Sequence, residues 1–329
     1  MPKGALEIEA KAASPDFRYI VGYVSTQTVM REFLWKNGVF QYLSSQDSVA
    51  WSVNDSGKAV GETLSDSVTS CAVIWSDGKE RRLFPDDASS RAQGVDNAGN
   101  VFGVRVTRQP AGENAWRAYT CRNDGSIRYL DYLDYLDAAD PKSNILYHAS
   151  NQKGQLALYQ TDNIDGYQRS LLWNGKSAQD LPSPQKGKRC LPRSMNETGD
   201  VVGTYFPDSS TTVPVLWKNR IPALMRLPRP LVGEAVGIND RGGIIGNASL
   251  RSYGYPPFLI REDGFEDIKK YRETPFLIQD GTFYSLNDLV INKADIRRTV
   301  QISRTGVILA DGFVGKERHA FLLKPIMPK

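Results

Sequence analysis

Val53-Asn54-Asp55-Ser56-Gly57-Lys58-Ala59-Val60-Gly61 is a phrase to which this chain keeps returning. It recurs as Val95-Asp96-Asn97-Ala98-Gly99-Asn100-Val101-Phe102-Gly103, as Met195-Asn196-Glu197-Thr198-Gly199-Asp200-Val201-Val202-Gly203 and as Ile238-Asn239-Asp240-Arg241-Gly242-Gly243-Ile244-Ile245-Gly246. Degraded copies surround Gly154 and Gly306, and another lies at Arg18, where Ile20-Val21-Gly22 follows the same pattern. Each copy reads as a strand entering a tight turn and leaving as a second strand. The Asn or Asp side chain caps backbone N–H groups of the turn, and the glycine supplies a positive φ. The turn glycines are therefore Gly57, Gly99, Gly154, Gly199, Gly242 and Gly306. The second glycine, four residues on (Gly61, Gly103, Gly203, Gly246), falls inside the returning strand and marks a bulge or a close backbone approach.

A second phrase follows each time. Phe33-Leu34-Trp35-Lys36-Asn37-Gly38 is echoed by Val73-Ile74-Trp75-Ser76-Asp77-Gly78, Leu171-Leu172-Trp173-Asn174-Gly175 and Phe258-Leu259-Ile260-Arg261-Glu262-Asp263-Gly264. Asn-Gly or Asp-Gly between apolar runs is a strong hairpin signal. The strand after it closes on an apolar residue, as at Leu43, Leu83, Leu130, Leu181, Leu227, Ile268 and Leu286. Two hairpins per repeat make four strands, the blade of a β-propeller.

The predicted fold is all-β: one closed β-propeller of four-stranded antiparallel blades spanning residues 1–329 as a single domain. Turn positions 18, 57, 99, 154, 199, 242 and 306 indicate seven blades. The long last interval holds a surplus hairpin at Asp280-Gly281, so six or eight blades stay open. The last copy, from Arg298 to Lys324, holds only three strand-like runs, and a strand at about residues 6–12 is expected to help close the ring.

The pairing of the two phrases resembles the HAF repeat of bacterial extracellular repeat proteins. The likeness is most specific at the C-terminus, in Ser285-Leu286-Asn287-Asp288-Leu289-Val290 and His319-Ala320-Phe321-Leu322-Leu323-Lys324-Pro325. It runs from about Ile20 to Pro325, and departs from the pattern where Leu158 and Ala310 replace the second glycine. The resemblance implies a propeller-like fold and an extracellular or cell-surface location. It transfers no catalytic residue. Met1-Pro2-Lys3-Gly4 begins no signal peptide, which leaves a cytoplasmic location as the alternative.

Composition narrows the function classes. Basic and acidic residues number 41 and 37, a net charge of +4, too balanced for a nucleic-acid-binding face. No apolar run approaches the ~20 residues of a membrane helix. The densest basic stretch, Lys186 to Arg193, reads as a solvated loop, or else as a grip for an anionic group. Three cysteines, Cys71, Cys121 and Cys190, form neither a disulfide framework nor a zinc site; a Cys71–Cys121 link stays conceivable. No metal, no cofactor and a monomeric state are expected.

Candidate chemistry is sparse. There are 2 histidines, and His319 belongs to the repeat phrase, which leaves His148 alone for any triad. Paired carboxylates could act on a glycosidic bond, and Asp131, Asp134 and Asp137, in a Tyr-Leu-Asp unit written three times, are the candidates. One blade position stands out. Three residues before the turn Asx lie Ala12, Trp51, Gln93, His148, Arg193, Val236 and Val300, while the next residue is small and the one after that apolar. If that strand is innermost, Trp51, Gln93, His148 and Arg193 would ring one mouth of the central channel. The expected function is a non-catalytic binding or scaffold propeller for a glycan, peptide or protein partner. The alternative is a propeller enzyme acting on polysaccharide through carboxylates.

Overall fold

The computed structural model describes residues 7–26, 30–43, 47–64, 69–84, 89–108, 114–130, 144–161, 168–250, 273–291 and 294–325. The strands run β1 (Glu7–Ala13), β2 (Tyr19–Ser25), β3 (Met30–Lys36), β4 (Val39–Tyr42), then β5 (Ser48–Val53), β6 (Ala59–Leu64), β7 (Ser70–Ser76), β8 (Lys79–Arg82). Next come β9 (Ser90–Val95), β10 (Val101–Arg108), β11 (Asn114–Cys121), β12 (Ile127–Tyr129), β13 (Asn144–Ser150), β14 (Leu156–Thr161), β15 (Gln168–Trp173) and β16 (Ala178–Leu181). The remainder are β17 (Arg189–Met195), β18 (Val201–Phe206), β19 (Val213–Lys218), β20 (Ile221–Leu224), β21 (Leu231–Ile238), β22 (Ile244–Leu250), β23 (Thr274–Gln279) and β24 (Thr282–Ser285). One helical turn, α1 (Leu286–Leu289), then precedes β25 (Asp295–Ile302), β26 (Ile308–Val314) and β27 (Glu317–Leu323).

These strands form five four-stranded antiparallel sheets and one seven-stranded sheet. The larger sheet is a four-stranded meander, β1–β4, and a three-stranded one, β25–β27, joined by a single parallel bridge, Glu7↔Arg318. The first strand of each set packs against the first strand of the next, from β1 through β5, β9, β13, β17 and β21 to β25, which lies beside β1. The N-terminal strand is thus the first strand of the first sheet, and it touches both β25 and β27. Apolar cores fill the seams between successive sheets. One joins Val60, Ala72 and Ile74 to Ala92, Val101 and Tyr119, and another joins Ala149 and Leu172 to Val201 and Trp217.

The repeated turn explains how the sheets hold together. Asn196 Oδ1 accepts the N–H groups of Thr198 (3.1 Å) and Asp200 (2.9 Å), while its Nδ2 donates across the seam to Asn239 O (3.3 Å). Asn54, Asn151 and Asn239 do the same, donating to Asp96 O, Asn196 O and Ser303 O at 2.9, 3.1 and 3.1 Å. A second series runs beside it, from the N–H of Asp55 to Asn97 Oδ1 (2.9 Å), of Asn97 to Gln152 Oε1 (2.6 Å), of Gln152 to Glu197 Oε1 (2.9 Å) and of Glu197 to Asp240 Oδ1 (2.8 Å). Gly57, Gly99, Gly154, Gly199, Gly242 and Gly306 adopt φ between 73° and 87°. The second glycines stand against carbonyls: a Cβ on Gly61 would lie 1.9 Å from Val49 O, and one on Gly203 2.0 Å from Leu191 O. Leu158 and Ala310 nonetheless keep the same pairing, opposite Tyr147 and Thr299.

Two readings of the sequence need correcting. In the first copy the turn runs from Ser14 to Tyr19, one residue longer than the others, and Phe17 at φ 60° takes the left-handed position assigned to Arg18. The Asp280-Gly281 hairpin is no surplus. It joins β23 to β24 in the same sheet as β21 and β22, and the Phe258–Gly264 phrase and Ile268 lie outside the described residues.

Three substitutions test this reading of the turns and the seam. Gly242→Ala, with open space around the missing Cβ but φ at +76°, is expected to cost about 1 kcal/mol in urea unfolding. Gly57→Ala should cost about 1 kcal/mol more, because its Cβ would lie 2.7 Å from the Tyr19 ring. Asn196→Asp keeps the acceptor and deletes the donor across the seam; the expected loss is about 1–3 kcal/mol.

Candidate functional site

Every first strand carries an extra residue at one shared position, and β25 carries a second, Arg297. The ladder slips at Lys11 in β1, Trp51 in β5, Gln93 in β9, His148 in β13, Arg193 in β17, Val236 in β21 and Val300 in β25. These are β-bulges, which bend a strand and re-aim the extra side chain. Trp51, Gln93, His148, Arg193, Val236 and Val300 line one cavity of about 280 Å³, together with the turn residues below them. Ala12 also lines it, but the bulged residue of β1 is its neighbour Lys11, a consequence of the longer first turn. Lys11 turns away to Glu9, with Nζ 2.7 Å from Oε1 and 5.2 Å from the Tyr23 ring centroid.

The cavity's side chains are held from behind. Trp51 Nε1 donates to Glu62 Oε1 (3.2 Å), whose other oxygen accepts Arg91 Nε (3.0 Å), and Trp51 is 38% exposed. Arg193 Nη2 lies 3.1 Å from Glu234 Oε2, so this guanidinium is already paired within the chain. The His148 ring packs edge-on against Tyr159 at 5.8 Å. Among the described residues Gln93 Oε1 is buried with no hydrogen-bond partner, an acceptor awaiting a donor. Arg304, at the rim, pairs with Asp240 (3.3 Å) and approaches Glu197 (3.9 Å). The charges at the cavity are therefore balanced in pairs.

Glu62, Glu234, Tyr159 and Thr204 were not singled out from the sequence. For all but Glu234 the signal existed: the residue after the second-glycine position reads Tyr23, Glu62, Val104, Tyr159, Thr204, Asn247 and Asp311, polar in every copy but one and varied in chemistry. The polar members contact first-strand residues, as Tyr23 donates to Glu9 (2.8 Å), Thr204 to Glu234 (3.3 Å) and Asn247 Nδ2 to Thr299 O (3.4 Å). Asp131, Asp134 and Asp137 lie outside the described residues. In the basic stretch Lys186 and Lys188 are exposed, as in a solvated loop, and Arg189 stacks on Phe206 at 4.0 Å. Cys71, Cys121 and Cys190 are free and buried. Among the described residues no cluster of His, Cys, Asp and Glu is arranged for a metal, and no helix is long and apolar enough to cross a membrane.

No protein-family model matches the chain, and no curated protein matches it. Solved structures do. The chain is similar to the β-propeller domain of the Trilobed protease from Pyrococcus furiosus, with TM-score 0.57 and 12% identity over 87% of this chain and 84% of that one. The fold is a β-propeller. Oligogalacturonate lyase from Vibrio parahaemolyticus superposes with TM-score 0.59 and 9% identity, covering 96% and 91% of the two chains. Pyrococcus horikoshii acylaminoacyl peptidase gives 0.56 and 12%, with 93% of this chain spanning 50% of that one. At such identities the likeness fixes architecture and says nothing of chemistry.

Burial, with the Arg193 charge beside it, pushes the His148 pKa down to about 4 from its ordinary 6.5. The imidazole is neutral at pH 7. Below pH 6.5 the unfolded chain takes up a proton that the folded one refuses, so this group's stability contribution is lost as pH falls from about 6.5 toward 4. The loss across that window is expected to reach about 3 kcal/mol. His148→Gln should flatten that part of the stability profile, measured by urea unfolding at pH 4.5 and 7.5.

Proposed function

We propose that the chain is a closed seven-bladed propeller which binds an uncharged, polyhydroxylated ligand, a glycan segment, at the channel mouth and carries out no chemistry on it. The observation that carries this reading is the row of bulges: Trp51, Gln93, His148 and Arg193, each from a different sheet, share one cavity. Their chemistry suits a sugar. Trp51 offers an aromatic face whose orientation is fixed by its bond to Glu62. Gln93 Oε1 needs a hydroxyl donor, and neutral His148 supplies a donor and an acceptor. Arg193, satisfied in part by Glu234, contributes its remaining N–H groups without an uncompensated charge.

Seven blades are supported by the seven strand sets, one of three strands and six of four, and by the return of β25 to β1. The HAF-repeat resemblance supports a surface or extracellular setting, and a monomeric propeller is the assembly proposed.

The test is a glycan array followed by calorimetry on the best binder, with release of reducing ends followed in the same samples. Trp51→Ala and Gln93→Ala are each expected to weaken binding about 5- to 100-fold, a loss of about 1–3 kcal/mol. Binding that survives both changes together overturns the site, and release of reducing ends favours the polysaccharide-degrading alternative.

A further inference from the structure

Six of the seven strand sets end in the same way. The residue that follows or closes the fourth strand is apolar and packs into the seam with the next sheet: Leu43, Leu83, Leu130, Leu181, Met225 and Leu286. Where it lies just beyond the strand, its N–H reaches back to the third strand, as Leu43 to Glu32 O (3.1 Å), Leu83 to Ala72 O (2.8 Å), Leu130 to Ala118 O (2.9 Å) and Met225 to Pro214 O (2.9 Å). It acts as an anchor at one fixed register.

Among the described residues the set β25–β27 has no such strand. Ala320 pairs with Asp311 as Glu32 pairs with Tyr23, so the Ala320 carbonyl is the counterpart of the anchor's acceptor. Ala320 and Leu322 then present their N–H and C=O groups to the outer edge, while Phe321 faces β26. Among the described residues that edge carries only the Glu7↔Arg318 bridge. The core between β25–β27 and β1–β4, built on Ile8, Ile20, Phe33 and Leu309, contains no fourth-strand residue from β25–β27. In its place is an apolar cleft of about 320 Å³, walled by those four side chains with Trp35 and Phe321. The usual hairpin turn is not encoded directly after β27. In four of the other sets the third strand ends in a left-handed pair such as Asn37-Gly38 (φ 48° and 87°) or Asp77-Gly78 (52° and 73°). After Leu323 come Lys324 and Pro325, and proline cannot adopt a positive φ.

We infer that the outer edge of β27 is a strand-addition site for an extended segment of a partner polypeptide. The segment runs antiparallel to β27, places a Leu, Met or Phe in the cleft and donates that residue's N–H to Ala320 O. The six fourth strands specify this occupant from within the molecule: about four extended residues followed or closed by one bulky apolar side chain. Apart from the His319 imidazole the cleft walls are apolar, so a charged anchor is excluded by desolvation. Backbone pairing supplies register and the single pocket supplies selectivity.

The probe is the chain's own fourth strand, an acetylated and amidated peptide Gly-Val-Phe-Gln-Tyr-Leu copied from residues 38–43, with a Leu→Asp control peptide. Amide exchange is followed residue by residue on the full chain. Free protein should show fast exchange at Ala320 and Leu322 and slow exchange at Phe321. With peptide at about ten times its Kd, Ala320 and Leu322 should slow about tenfold while Phe321 is unchanged. The Asp peptide should do nothing, and Ala320→Leu, which fills the cleft, should abolish the effect while Phe321 stays protected. Absence of slowing at any peptide concentration up to several millimolar overturns the inference. So does protection of Ala320 and Leu322 in the free protein at any protein concentration, which would mean that the chain itself or a second copy already covers the edge. The control peptide keeps the test decisive if Ala320→Leu fails to fold.

Discussion

A carboxamide has one acceptor and one donor at the same carbon, and this protein depends on that pairing. In Asn54, Asn151, Asn196 and Asn239 the oxygen organises the residue's own turn while the nitrogen reaches the next sheet. Local geometry and intersheet geometry are thereby fixed by the same atoms, and a sheet cannot shift without loosening its turn. Aspartate keeps the first function and loses the second. At Asp96 the carboxylate accepts the N–H of Asn100, but the link onward passes to the neighbouring residue, Asn97, and to Gln152. Between the first and last strand sets other groups take over. Gln301 bonds both the N–H and the C=O of Ala13, and Arg298 bridges Asp311 and Glu9.

The bulges give the site its character. A regular ladder alternates side chains between the two faces, so an inserted residue is the one position whose direction is freed from that alternation. Placing one insertion at the same height in every first strand brings side chains from distant parts of the sequence to one cavity. The surrounding polar atoms are then matched inside the protein: Glu62 with Trp51 and Arg91, Glu234 with Arg193 and Thr204. What faces the cavity is polar and nearly neutral.

Much of this was legible in the sequence because it is written in local signals. Asn54 with Gly57, or Asn37 with Gly38, define turns through their own backbone preferences, and repetition removes the ambiguity of any single copy. The chemically variable position at Trp51, Gln93, His148 and Arg193 was visible for the same reason, since its neighbours stay small or apolar. What escaped depended on distant partners. Glu234 and Arg193 come from different strand sets, and no local pattern pairs them. The first turn was displaced by one residue because Phe17 takes a left-handed conformation that normally announces itself as glycine. The Asp280-Gly281 hairpin reads as surplus by local chemistry, and it is the pairing of β23 with β22, a distant partner, that makes it part of the sheet.

The three thiols lead somewhere else. Cys71, Cys121 and Cys190 are all buried, and burial raises each pKa, that of Cys190 to about 11. Oxidants and electrophiles react with the thiolate, and here that form is both scarce and shielded. The three thiols of the folded chain are accordingly poorly placed to respond to the redox state of its surroundings. The same covalent structure would persist in a reducing cytosol or an oxidising exterior, with no foldase needed to sort pairings and no thiol offered to neighbouring chains.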